Sequence, residues 1–330
     1  MPAISQRHLV QAVLDAMLDS GYSGVLVSGL GTHPQQFVIR RPEGDHVSLW
    51  VYIHTATPGG RRALPHEYRI QLTSFRSPLR LNPNGLTVLL GYEPNLKLFA
   101  GFDIERHRTF TEGSSSVQID VRPMRQALQD GLAFDRKANQ EIAVGIRPDQ
   151  FVGYCLNARD LHRYGAQAAT SELFVRASSL QQITEREIAQ LAVERQRIVH
   201  TVTRLAREAH FREQVLRAYG HRCAVTGVQL RLVEAAHLLP VGVPGSVDDV
   251  RNGIALSPTY HRAYDRGLIY LDTDLRMKVS KSKVRDLAGL QLNGGLVGFR
   301  ASLGKILLPP DRRQWPAATF IAKANRFRNL

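Results

Sequence analysis

The chain predicts an α+β protein in which a mainly-β N-terminal domain is joined by a helical connector to a smaller C-terminal domain. Three observations carry that reading. Short strand-like runs separated by Gly, Pro and Asn turns fill the chain to about residue 165, and helical periodicity occupies 166–204. From 205 to 330, strand-like runs alternate with a turn-rich loop and capped helical segments. At 330 residues the chain also exceeds the usual size of one hydrophobic core, which favours two domains.

Residues 7–20 read as an amphipathic helix ending near Gly21. "FVIRR", "VSLWVYIH", "EYRIQLTSF", "GLTVLLGY" and "KLFAGFDI" then follow as strands, divided by "PEGD", "TPGGRRALP", "NPNG" and "EPN". That spacing predicts a largely antiparallel sheet or barrel. "TEGSSSVQ" reads as a hairpin turn and "MRQALQDGLA" as a helix. In the connector, "TERE" fits a capping box, with Thr184 capping the backbone and Glu187 reaching back. Ile188, Leu191, Ile198, Val202 and Leu205 recur at helical spacing, and "HFREQVLRAYG" reads as a second, separate helix.

Composition narrows the function classes. The hydrophobic fraction is 43% and the charged fraction 22%, as in an ordinary globular protein, and no apolar run approaches a membrane span. The first residues lack a basic segment followed by an apolar core, and Cys155 and Cys223 are too few for a disulfide framework. A cytoplasmic protein is expected. The net charge of +14 attracts polyanions, nucleic acid first among them; a basic soluble enzyme or a partner of an acidic protein is the alternative.

The densest polar pattern lies between 223 and 272. "LVEAAHLLP" reads as a strand ending near His237, with Pro240 stopping the ladder. "VGVPGSVDDVRNG" is a turn-rich loop. "IALSPTYHRAYDRG" holds a short strand and then a helix with Ser257 as N-cap, Pro258 at its first position and Gly267 just past its end. Two strands, a loop and a helix bring His237, Asn252 and His261 together, and Asp265 shares a helix face with His261 at i+4. Alone, each residue has a plainer reading: a surface histidine, an Asn-Gly turn, an aspartate paired with Arg262 or Arg266, a cysteine in the core.

Together, "CAVTG", "EAAHLLP" and "RNGIALSPTYHRAYDRGLIYLD" resemble the HNH nuclease family, in the subgroup common in bacterial restriction-type endonucleases. The resemblance covers about residues 205–315 and takes in "FREQVLRAYGHRC" and "LPPDRRQWP". It implies a ββα-metal (HNH) nuclease domain that hydrolyses phosphodiester bonds with a divalent ion, Mg²⁺ or Mn²⁺ being first choice. On that resemblance His237 is the general base, Asn252 holds the loop and orients His237, and His261 ligates the metal. Many family members carry Asp or His immediately before the base; here Ala236 stands there, leaving Asp265, then Glu234, as candidates for the second ligand. No CxxC motif is present, so no structural zinc is expected.

A small ββα site touches few bases, so recognition falls to residues 1–165. On "VSLWVYIH", Leu49, Val51 and Ile53 take one face and Trp50, Tyr52 and His54 the other; the aromatic face either stacks on a base or is buried. "TPGGRRALPHEYR" offers Arg61, Arg62 and Arg69 to phosphate or groove, and Arg251 and Arg262 flank the catalytic candidates. The expected partner is double-stranded DNA with a specific or a modified recognition site, cut by a restriction-type endonuclease that acts as a homodimer or by two successive nicks. The competing expectation is a DNA-binding regulator on an inactive HNH scaffold.

Overall fold

A computed structural model describes residues 4–40, 44–113 and 115–330. Its two compact units, 1–209 and 210–330, meet within a helix. In the first unit, α1 (Gln6–Asp19) leads into β1 (Ser23–Leu26), β2 (Gln35–Arg40), β3 (His46–Thr55), β4 (Thr57–Pro58), β5 (Glu67–Gln71), β6 (Leu86–Glu93), β7 (Leu98–Phe102) and β8 (Ser116–Asp120). Then come α2 (Val121–Asp130), β9 (Leu132–Arg136), β10 (Ile142–Ile146), α3 (Phe151–Gly165), α4 (Ala168–Ser178), α5 (Glu185–Ala189) and α6 (Val193–Ala218). Of the turn read over "TEGSSSVQ", Ser114 lies outside the described residues.

The expected sheet is open rather than a closed barrel. Seven strands run in the order β1-β2-β3-β6-β7-β10-β9, all pairs antiparallel except the central β3–β6 pair, and β4-β5-β8 form a second sheet. Strand alternation gives the large sheet two apolar faces. Leu49, Val51 and Ile53 of β3 lie in the core shared with α1, α3, α4 and α6. Tyr52, on the opposite face, lies in a second core with Ile70 of β5, Val117 of β8 and Met124 of α2. Gly101 permits this packing: a Cβ there would lie 2.3 Å from the Tyr154 ring of α3.

Residues 166–204 differ from the connector that the sequence suggests. Phe174 and Ala177 of α4, Ile188 of α5, and Ile198, Val199 and Val202 of α6 all bury their apolar stripe in the first core. The capping box at Thr184 and Glu187 forms as expected. The two helices read beyond it are one helix of 26 residues, α6, which contains no Gly or Pro to interrupt it.

The second unit opens with the last turns of α6. It continues with β11 (Glu234–His237), β12 (Gly253–Leu256), α7 (Pro258–Asp265), β13 (Ile269–Leu271), β14 (Arg276–Val279), α8 (Lys281–Gly289), α9 (Leu296–Ala301), β15 (Gly304–Lys305) and α10 (Ala318–Phe327). β11 and β12 pair antiparallel, and β13-β14-β15 form a small sheet. Phe211, Val215, Ile254, Leu256, Tyr264, Ile269 and Ile321 share one core. This unit holds 19 lysines and arginines against 9 aspartates and glutamates, so 19 − 9 = +10 of the chain's +14 is concentrated here. No described helix is long and apolar enough to cross a membrane.

Glu141 shows how the first unit tolerates a buried acid. It accepts hydrogen bonds from Lys137 Nζ at 2.7 Å and from His107 Nε2 at 3.1 Å. Burial alone would push its carboxyl up, yet those bonds and charges bring it down to about 2 from an ordinary 4.5. A folded-state pKa below the unfolded one stabilises at pH above 4.5, and that contribution fades as pH falls toward 2. Glu141→Gln is expected to cost the first unit about 2 kcal/mol at pH 7. In urea titrations the difference from wild type shrinks between pH 4.5 and 2.

Candidate active site

His237 ends β11, where antiparallel register sets it opposite Gly253. Its ring lies flat on Phe211 of α6, with centroids 3.7 Å apart and planes within 9°. Gly253 makes the close approach possible: a Cβ there would sit 2.2 Å from Val215 Cγ2 and 3.1 Å from Phe211 Cζ. In the Asn-Gly pair that reads as a turn, Asn252 closes a 3-10 turn (Val250–Asn252) while Gly253 is already extended, at φ −118° and ψ 151°, and starts β12. Sequence gave no sign of this, because the demand comes from a helix remote in the chain.

Asn252 is fully buried. Its side-chain oxygen accepts from the Leu239 amide at 2.9 Å, and its amide donates to the carbonyls of Leu239 at 3.2 Å and Val247 at 3.0 Å, and to Ser246 Oγ at 3.2 Å. Asn252 therefore fastens the loop between β11 and β12. Among the described residues, its side-chain hydrogen bonds run to the loop and to Leu239 rather than to the His237 ring. The ring instead meets Asp248, whose Oδ1 lies 3.0 Å from His237 Nε2. Burial lowers the His237 pKa from its ordinary value, and Asp248 pulls it partly back. Sequence reading missed both Asp248 and Phe211. Asp248 adjoins Asp249 in a loop, and only the loop's closure distinguishes them: Asp249 caps the turn at Arg251 instead.

α7 packs on β11 and β12 and carries His261 and Asp265 on one face. Ser257 stands at the N-cap without a side-chain capping bond, and Gly267 adopts φ +67° beyond the helix end. His261 Nδ1 lies 2.7 Å from Glu234 Oε2, and its Nε2 lies 3.4 Å from Asp265 Oδ2. Burial would lower the His261 pKa, but these two carboxylates outweigh it and the net shift is upward. The hydrogen bond from His261 in turn holds Glu234 below its ordinary value. Asp265 thus faces His261 rather than pairing with Arg262 or Arg266.

This donor set suits a divalent ion. A ligating imidazole commonly gives its second N–H to a carboxylate, and Glu234 stands at that place, leaving Nε2 and the Asp265 carboxylate on the same side of the ring. No group of three His, Cys, Asp or Glu is arranged to hold a metal among the described residues. An ion here would complete its shell with water and phosphate oxygens, as hard divalent ions commonly do. Cys223 is buried and unbridged, as a core residue.

Residues 223–272, which span this whole constellation, match the HNH endonuclease family. The second unit carries an HNH endonuclease domain. HNH nucleases generally work with a divalent metal. Residues 47–155 match a family described as Methylase-associated X1. Among solved structures, the chain is similar to a "Modification dependent TagI restriction endonuclease" at 12% identity and a TM-score of 0.30, covering 98% of this chain and 90% of that one. No curated protein matches the chain.

Of the remaining DNA-binding candidates, Trp50, Tyr52, Arg61, Arg62 and Arg69 belong to the first unit, and Arg251 and Arg262 to the second. Tyr52 is buried, and its hydroxyl donates to the Arg80 carbonyl at 3.1 Å and accepts from the Arg80 amide at 2.8 Å. Phe75 covers that ring edge-on, so Tyr52 offers no face to a base. Trp50 is half-buried on the same side of β3. Arg61 is exposed but hydrogen-bonded to Glu67 at 3.1 Å, Arg62 is exposed, and Arg69 is half-buried in β5. Arg251 is forked onto Asp249, and Arg262 is exposed on α7.

Asn252→Ala strands the Leu239 and Val247 backbone groups that its amide satisfies. The substitution is expected to cost the second unit about 1–3 kcal/mol. Hydrogen exchange should quicken first at the Leu239 amide; exchange unchanged along the β11–β12 loop would remove Asn252 as its fastener.

Proposed function

We propose that the chain is a divalent-metal-dependent DNA endonuclease of the restriction type, whose first unit recognises a specific or modified DNA site. The observation that carries this reading is the pairing of His237 with the His261–Asp265 face inside an HNH domain. The +10 charge of the second unit supports DNA as the substrate, since phosphate neutralisation dominates such affinity. The Methylase-associated X1 match over 47–155 supports placing the reading of modification in the first unit.

In this reading His237, neutral near pH 7, accepts the proton of the attacking water. His261 Nε2 and Asp265 hold the metal, and Glu234 fixes the His261 ring from behind. Bound there, a divalent ion neutralises charge on the phosphate and stabilises the leaving oxygen. Arg251, in the turn before β12, and Arg262, on α7, flank the site, and Arg62 and Trp50 are first-unit candidates for contact with DNA.

A second reading, a DNA-binding regulator on an inactive scaffold, draws on Ala236 and on the lack of a three-ligand group among the described residues. Plasmids that are unmodified, cytosine-methylated or otherwise modified separate the two when incubated with the protein and Mg²⁺ or Mn²⁺. Cutting that EDTA abolishes, and that His237→Ala lowers by about 100-fold or more, supports the nuclease. DNA binding without cutting of any plasmid favours the regulator. Binding should weaken steeply between 50 and 200 mM salt, on the order of a thousandfold if about six phosphates are neutralised.

A further inference from the structure

We propose that Asp248 is the positioning residue of the His237 base and makes Nδ1, not Nε2, the nitrogen that takes the proton. The inference rests on the nuclease reading and extends it to a residue beyond His237, Asn252 and His261. A carboxylate oxygen can only accept, so the 3.0 Å contact makes His237 Nε2 the donor. Neutral imidazole carries one N–H, which leaves Nδ1 with the free lone pair.

The surroundings enforce this arrangement. Phe211 covers one ring face at 3.7 Å and blocks the imidazole from tilting toward that side. Asp248 cannot drift freely, because the residue before it is tied through its carbonyl to the buried Asn252 amide at 3.0 Å, and Ser246 Oγ donates to the Leu239 carbonyl at 2.8 Å. Asn252 thus reaches the base indirectly: Asn252 holds the loop, the loop holds Asp248, and Asp248 holds the ring. The other charged groups that face His237 are His261 and Asp265 of α7, which act on it in opposite senses; Phe211 of α6 is uncharged.

The step balances as follows. An O–H bond of water breaks with its electron pair left on oxygen, and the proton goes to Nδ1. The oxygen's pair forms the new bond to phosphorus. The bond from phosphorus to the leaving sugar oxygen breaks with its pair on that oxygen, which takes a proton from solvent. The imidazolium then returns its proton to solvent, while Nε2–H stays on Asp248 throughout.

Nitrogen NMR of the full-length labelled chain tests the tautomer without any substrate. Neutral His237 should show a protonated Nε2 and a bare Nδ1, and Asp248→Ala should mix the two forms. A wild-type Nδ1–H tautomer would overturn the proposal, whether or not any DNA is cut. In cleavage assays, Asp248→Ala should lower kcat about 10- to 100-fold with KM little changed, and Asp248→Glu should recover part of the loss. Adding Asp248→Ala to His237→Ala should cost nothing further, since both act through one group. Asp248→Asn keeps the shape and removes the charge, so the acid limb of kcat should move to lower pH. Additive losses, an unmoved acid limb, or activity restored by excess metal would each assign Asp248 another role. If wild type cuts no DNA, the nuclease reading fails while the tautomer result still stands or falls by itself.

Discussion

The four hydrogen bonds of one buried amide, that of Asn252, hold the second unit's loop in register with its two short strands. Strands of four residues have little stability of their own, and β11–β12 has only a single ladder. The fifteen-residue link between them, residues 238–252, carries many backbone groups that need partners, and Asn252 satisfies several of them from the inside. With the amide in place the loop returns to Leu239 and brings Asp248 against the His237 ring. An aspartate or leucine of similar size cannot substitute, because the site requires one acceptor and two donors from a single planar group.

A second constraint, packing on α6, sets the other side of the same histidine. Val215 and Phe211 reach the β-strand only because residue 253 has no side chain. Their apolar contacts anchor the helix to the small sheet, and the same Phe211 ring forms the floor under the imidazole. In the proposed reading stability and chemistry share residues here: the contact that closes the core also covers one face of the proposed base. Burial has an electrostatic consequence: it lowers the His237 pKa and so favours the neutral ring that the proposed base requires.

How much of this was legible in the chain divides along physical lines. Local signals read well. The capping box at Thr184, the strand–loop–strand–helix order around His237, and Gly267 at positive φ depend on neighbours in sequence, and the structure has each. Features that depend on remote partners read poorly. The periodicity of 166–204 announced an apolar stripe without saying that the first core would take it, and β3 showed two faces without saying that Phe75 would cover the Tyr52 side. Asp248 was invisible for the same reason, since nothing in "SVDDVRNG" ranks one aspartate above the next. Domain bounds set at 165 and 205 differ from the compact division at 209 because helix α6 serves both cores.

The vacancy at Ala236 takes on a different meaning once strand geometry is considered. Along β11 side chains alternate, so with His237 turned toward Asp248 its neighbour must face the other way. Ala236 is 1% exposed and belongs to the core that holds Leu238, Ile254 and Tyr264. A carboxylate there would be buried among apolar side chains, unpaired and far costlier than the alanine. The proposed ligand is instead displaced to Asp265, four residues after His261 on the same helix face. Both donors then ride on one rigid element, and their spacing is set by the helical repeat rather than by a strand–helix junction. In the proposed arrangement the metal is held from α7, so a loop carboxylate, Asp248, together with the Phe211 ring, can position the proposed base His237 without also serving the metal.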